Sequence, residues 1–182
     1  MKRALSPTVV LGVGNVMMKD DGAGVWIVRS LVERYRFPPG VRLVEGGVGG
    51  IGLLPILAGA EAALIVDAVD RGDPPGTLFR IDAGELPAAN GTRISAHEIG
   101  LVELLDTARF MGCCPRTRIV GIQPSDCRSA GKSLTPAVRR AVPRAREAVV
   151  AELRAMGIVS KPIHAVGRSG LKRAGKGGRT NA

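Results

Sequence analysis

The segment from Ala62 to Val69, AALIVDAV, narrows the possible folds of this chain more than any other. Every position except Asp67 is apolar, with none of the alternation that marks a half-exposed strand. Such a run reads as a central strand covered on both faces, the pattern of a parallel sheet whose crossovers lay helices on either side. It is too short to cross a bilayer. The wider apolar region from Ile51 to Val69 is broken by Pro55, Glu61 and Asp67, so a buried helix and strand are expected there and membrane insertion is not.

The neighbouring segments supply the other layers. TVVLGVGN is a β-branched run ending in glycine, an opening strand. In GAGVWIVRSLVERYRF, the residues Val25, Val28, Leu31, Val32 and Tyr35 recur at helical spacing, and Pro38-Pro39 should stop that helix. VRLVEGG reads as a second strand and IGLLPILAG as a short helix. The turn DRGDPPG is too short for a crossover helix, so TLFRID should return antiparallel to its predecessor at one side of the sheet. HEIGLVELLDTARFMG is helical, with Ile99, Leu101, Leu104, Leu105 and Ala108 largely on one side. RTRIVGIQP is a further strand, and a last helix from Pro136 to Met156 should kink or shift its boundary at Pro143. Strands alternating with helices imply an α/β fold with a mostly parallel sheet and helices on both faces. Ligands of such folds sit beyond the carboxyl ends of the strands.

At 182 residues the chain has the length of one ordinary domain. We place that domain at residues 1–159 and read 160–182 as a basic, disordered tail. The tail carries Lys161, Arg168, Lys172, Arg173, Lys176 and Arg179 and no acid, so the formal charge of +10 leaves about +4 for the body. With a mildly basic body and only 3% aromatic residues, no nucleic-acid partner is expected. Cys113, Cys114 and Cys127 give neither a metal-binding CxxC nor an even disulfide framework. A reducing cytoplasm suits them, and no export signal is expected at the N-terminus.

LGVGNVMMKDDGAGV, from Leu11 to Val25, looks like a dinucleotide loop but fails as one. The third glycine of that fingerprint is replaced by Met17, and a pyrophosphate would face Asp20 and Asp21. The glycines instead allow a tight exit from the strand, with the acids at the start of the next helix. There an acid has an ordinary role, satisfying amides and opposing the macrodipole. Asp67 has an ordinary reading too, as a loop-capping residue just past its strand, but a carboxylate ending so apolar a strand is costly to bury without a cation or several donors. His97 lies in SAHE, a capping box with Ser95 as N-cap and Glu98 reaching back, where a helix N-terminus favours a neutral, ligating ring. Asp21, Asp67 and His97 can all converge on the carboxyl edge of the sheet. Two carboxylates and one imidazole make an open site for a borderline divalent ion such as nickel or zinc.

GVGNVMMKDDGAGV, LIVDAVDRGDPPGTLFRI and SAHEIGLVELL, in this order and spacing, resemble the nickel-iron hydrogenase maturation endopeptidases over about Val9 to Gly157. The resemblance implies a five-stranded twisted sheet flanked by helices. It also implies removal of a short C-terminal peptide from the nickel-loaded large-subunit precursor of a nickel-iron hydrogenase. Asp21, Asp67 and His97 match the family's metal-contacting residues, so the resemblance makes them the catalytic, metal-gripping trio of a metal-dependent peptidase. The resemblance further implies that the nickel is supplied by the precursor. One departure is EGGVGG, in which Glu45 and Val48 stand where the family often has an acid and a hydroxyl in an Asp-Gly-Gly-Thr-like segment. Gly46 and Gly47 still permit close substrate approach.

Three other readings remain open from sequence. One is a cysteine hydrolase pairing Cys113, Cys114 or Cys127 with His97. Another is a nickel-carrier accessory protein, which would bind the metal tightly without a precursor. The third is a nucleic-acid adaptor acting through the tail.

Overall fold

The computed structural model describes residues 7–82 and 96–163, the side chains of residues 96–99 excepted. The elements run β1 (Thr8–Val13), α1 (Ala23–Arg34), β2 (Tyr35–Arg36), β3 (Val41–Gly47), α2 (Leu54–Ala58) and β4 (Ala62–Ala68). They continue with β5 (Leu78–Asp82), α3 (Ala96–Phe110), β6 (Arg116–Ile122), α4 (Pro136–Ala155) and β7 (Lys161–Pro162). Five strands form one sheet in the order β3-β1-β4-β6-β5, parallel throughout except for β5 at its edge. β4 is buried along its whole length and lies centrally, as its unbroken apolar run requires.

The two faces of β4 feed separate cores. Leu64, Val66 and Ala68 join Ile27, Val28 and Leu31 of α1 and Val138, Ala145, Val149 and Leu153 of α4. Ala63 and Ile65 join Leu57 of α2 and Leu101, Leu104 and Leu105 of α3. The result is the expected three-layer α/β sandwich. Among the described residues, no helix is long and apolar enough to cross a membrane.

The structure corrects several expectations. TLFRID does run antiparallel at the sheet edge, but its partner is β6, which lies between it and β4. α1 ends at Arg34, because Tyr35 turns to an extended conformation and pairs with Pro162. Val25, Val28 and Leu31 are buried as expected, but the core face takes in Ile27 and leaves out Val32. Ile27 is fully buried and Val32 is 55% exposed, because α1 presses a broad stripe against both the sheet and α4 rather than a narrow seam. Of the two outcomes expected at Pro143, a shifted boundary is not the one found: α4 is one helix from Pro136 to Ala155 with the proline inside it. Buried residues on both sides of the proline, Val138 and Ala141 before it and Ala145 and Val149 after it, hold the helix against one missing hydrogen bond. Lys161–Pro162, assigned to the tail from sequence, pair antiparallel with Tyr35–Arg36, and the Ile163 N–H donates to the Arg34 carbonyl at 2.7 Å. Buried Ile158 anchors the chain just before this pairing. The rest of the tail and Ser95, the N-cap expected from sequence, lie outside the described residues.

These positions give opposite expectations for two residues of α1. Ile27→Ala should lower unfolding free energy by about 2–5 kcal/mol through cavity formation. Val32→Ala should change it by no more than about 0.5 kcal/mol. Urea denaturation of both variants decides between this face and the one expected from spacing.

Candidate functional site

The chain leaves β1 toward β3 on one side and leaves β4 toward β6 on the other. The carboxyl ends of β1 and β4 therefore flank the point at which the strand order reverses, the crevice where open α/β sheets place their ligands. Asp21 follows β1 and Asp67 sits at the end of β4.

Close packing of main chain shapes this edge. A side chain on Gly24, in the first turn of α1, would overlap the Val66 carbonyl of β4 and lie 2.5 Å from the Val13 carbonyl of β1. A side chain on Gly12 would lie 2.5 Å from the Gly24 carbonyl. At Gly14, where φ is +113°, a Cβ would overlap the Asp21 carbonyl. The glycines of GVGN and GAGV thus let the helix start sit directly on the two strand ends, bringing the Asp21 main chain against the exit from β1. This is the tight exit expected from sequence.

The adjacent acids have separate roles. They lie in a 3-10 turn, Lys19–Gly22, ahead of α1. Asp21 is 5% exposed, and its Oδ2 accepts the Asn15 N–H at 2.8 Å. Asp20, fully buried, turns away from the helix it precedes and takes its donors from Ser125, Asp126 and Thr135. The ordinary capping role considered for Asp20 is therefore replaced by a long-range one.

Asp67 is fully buried, and its Oδ1 accepts the Ala68 N–H at 2.7 Å. It continues the row Ala63, Ile65 on the α2 and α3 face of the sheet, by the two-residue period of the strand. Across the register it faces Gly121 of β6 and, beyond that, Phe79 of β5. A Cβ on Gly121 would overlap the Phe79 ring. The ring therefore covers the glycine and forms an apolar flank on the β6 side of Asp67.

His97 is described in its backbone only, as the second residue of α3. Residues 111–115 connect α3 to β6 directly, so the helix runs back along the sheet. Its 15 residues span about 22 Å, matching about 23 Å for the seven residues of β6. The start of α3 is thus level with the carboxyl end of β6. Further along the same turn, Gly100 comes beside Gly50 in the turn after β3. The fold brings the Asp21 and Asp67 carboxylates to one edge and the His97 backbone to the same edge on the face of Asp67. The described residues alone include no cluster of three metal-ligating side chains.

Of the three cysteines, Cys127 alone follows the carboxyl end of β6, on the side of this edge. Burial first, then the negative charges of Asp21, Asp20, Asp67 and Asp126, push its thiol up to about 12. A thiol so placed stays protonated and is a poor nucleophile. Cys113 and Cys114 lie between α3 and the start of β6, at the opposite edge of the sheet. The geometry therefore disfavours the cysteine-hydrolase reading for all three.

The glycines that end β3 also divide. Gly46 forms a bulge against β1, where a Cβ would lie 2.8 Å from Leu11 Cδ1, so its small size serves packing. Gly47, at φ +54°, faces open space. Glu45 is held by Arg29, whose Nη2 lies 2.8 Å from its Oε2, and Val48 is exposed.

Residues 25–152 match the family model for hydrogenase maturation proteases. The chain is 43% identical over 152 residues to the hydrogenase expression/formation protein HupD of Rhodobacter capsulatus, covering 82% of this chain and 72% of that protein. It is 36% identical over 160 residues to the hydrogenase 2 maturation protease of Escherichia coli strain K12, covering 87% of this chain and 97% of that one. The solved structure of the hydrogenase maturating endopeptidase HybD from E. coli matches with a TM-score of 0.79 at 36% identity, over 85% of this chain and 96% of that one.

Two measurements check the geometry. Gly24→Ala should destabilise by at least about 1–3 kcal/mol through overpacking against two carbonyls. Gly52→Ala, with nothing within 4 Å of the added carbon, should leave thermal stability within about 0.5 kcal/mol. At pH 8, iodoacetamide should label Cys127 at least roughly a hundredfold more slowly in the native protein than in the urea-unfolded chain, because the half-buried thiol beside several carboxylates lacks thiolate character.

Proposed function

Because the chain belongs to the hydrogenase maturation protease family, we propose that it cleaves a C-terminal peptide from the large-subunit precursor of a nickel-iron hydrogenase. In this reading, nickel already seated in the precursor is the feature recognised, gripped by Asp21, Asp67 and His97. The supporting observation is the placement of two buried carboxylates at the point where the strand order reverses, with the α3 start on the face of Asp67. A pair of anions in so dry a place favours a cationic ligand. Two carboxylates and an imidazole suit a borderline divalent ion and leave coordination positions for the precursor's own ligands.

The chain's residues then have distinct tasks. Asp21 and Asp67 supply negative charge where the nickel arrives, and the bond from Asn15 fixes the orientation of Asp21. Gly47 leaves space for a substrate main chain beside the site. The Phe79 ring over Gly121 shields the flank of Asp67 from water, which strengthens its attraction for a cation. Nickel, once bound, contributes positive charge that can polarise a neighbouring carbonyl. With only three donors from this chain, nickel without precursor should bind weakly, which separates a protease from a metal carrier.

The test is intact-mass analysis of precursor incubated with the protein. Wild type should release a C-terminal peptide from nickel-loaded precursor and leave nickel-free precursor whole. Asp21→Asn, Asp67→Asn and His97→Ala should each slow release by on the order of a hundredfold or more, as loss of a metal-orienting group does. Equal cleavage of nickel-free precursor would sink nickel recognition, and an intact loaded precursor would sink the activity itself.

A further inference from the structure

We infer that Asp20 is a positioning residue, a buried anionic clamp that joins the β1–α1 loop to the β6–α4 loop and thereby sets the orientation of Asp21. The inference rests on the role given to Asp21 above, but its structural basis is separate. Asp20 Oδ1 accepts the Thr135 N–H at 2.7 Å. Its Oδ2 accepts the Ser125 N–H at 2.9 Å, the Asp126 N–H at 3.1 Å and the Thr135 hydroxyl at 2.8 Å. All four partners donate, and the carboxylate is fully buried. Only an acceptor at both oxygens satisfies such a setting, so the isosteric amide would turn an N–H₂ group toward donors.

Main-chain bonds run beside the clamp. Asp20 N–H donates to the Asp126 carbonyl at 3.1 Å, Lys19 N–H to the Gly131 carbonyl at 2.8 Å, and Gly131 N–H to the Met17 carbonyl at 2.8 Å. Lys19 Nζ also lies 2.7 Å from Asp126 Oδ2. This ammonium first, then donors from Ser129 and Arg128, hold the Asp126 carboxyl well below the usual range and keep it ionised.

Lys19 itself has φ +44°, the one positive φ among the described non-glycine residues. A side chain in that region is strained and persists only where its surroundings enforce it. Here the strain redirects the chain so that consecutive acids diverge, with Asp20 entering the clamp and Asp21 reaching Asn15. The clamped loop carries Cys127, which packs against the α1 and α4 cluster close enough to feel the charges of both Asp21 and Asp67, so the loop lies beside the same edge. None of these bonds involves the two apolar clusters that hold the sheet and helices together. Weakening the clamp therefore lets Lys19 relax and Asp21 turn while the fold persists.

The test uses the full-length chain with Asp20→Asn, the milder Thr135→Val, and Val149→Ala as a core control that lowers Tm without touching the clamp. Hydrogen exchange should be tenfold or more faster in Asp20→Asn at Asn15 and across residues 125–135, with Val149→Ala within twofold of wild type there. Cleavage of nickel-loaded precursor should fall at least tenfold in kcat with KM within threefold, because the docking surface between the two proteins is untouched. Thr135→Val should move both readouts in the same direction by at least threefold, and it decides the matter if Asp20→Asn does not fold. Wild-type exchange and kcat in a folded Asp20→Asn, or losses no larger than those of Val149→Ala, would overturn the inference. If wild type failed to process loaded precursor, the proposed function would fall, while the exchange comparison would still decide whether the clamp exists.

Discussion

The contact on which the site depends is that of Gly24 with the carbonyls of Val13 and Val66. It seats the first turn of α1 on the ends of two adjacent parallel strands with no side chain between. Any larger residue would push the helix outward and take the turn at residues 19–22 with it. Gly12 and Gly14 extend the same close approach. The glycines that imitate a nucleotide loop are therefore spent on packing main chain against main chain, and this packing brings the acids to the edge of the sheet.

Asp20 and Asp21 are neighbours in one turn, yet their surroundings give them separate tasks. Asp20 is enclosed by donors from the β6–α4 loop and stabilises an ordered wall. Asp21 is held by a short local bond and lies where the two strand ends meet. A carboxylate with four donors is well solvated by the protein and needs no cation. A pair of carboxylates at a dry sheet edge is a different case, and it is there that a positive ligand gains most.

Much of this was legible in the sequence for definite reasons. AALIVDAV announced a strand with two covered faces, and the structure gives it one face toward α1 and α4 and the other toward α2 and α3. Asp67 was conspicuous because it breaks that run. What spacing could not reveal was the partner of β5, since the insertion of β6 between β4 and β5 depends on a pairing some forty residues away. Periodicity also misjudged Val32 and Ile27, because it finds a stripe but not the width of the surface facing it. The link from Asp20 to Thr135 had no local signature at all. For His97, sequence and backbone agree on the first turn of α3, and its ligand role rests on the proposal above.

The decisive observation would be nickel-edge X-ray absorption on rapidly frozen complex of this protein with nickel-loaded precursor, set against the precursor alone. Grip by Asp21, Asp67 and His97 predicts that the nickel gains oxygen and imidazole nitrogen neighbours on complex formation, and that the imidazole signal is missing with His97→Ala. A nickel coordination shell that is the same in the complex and in the precursor alone would contradict it.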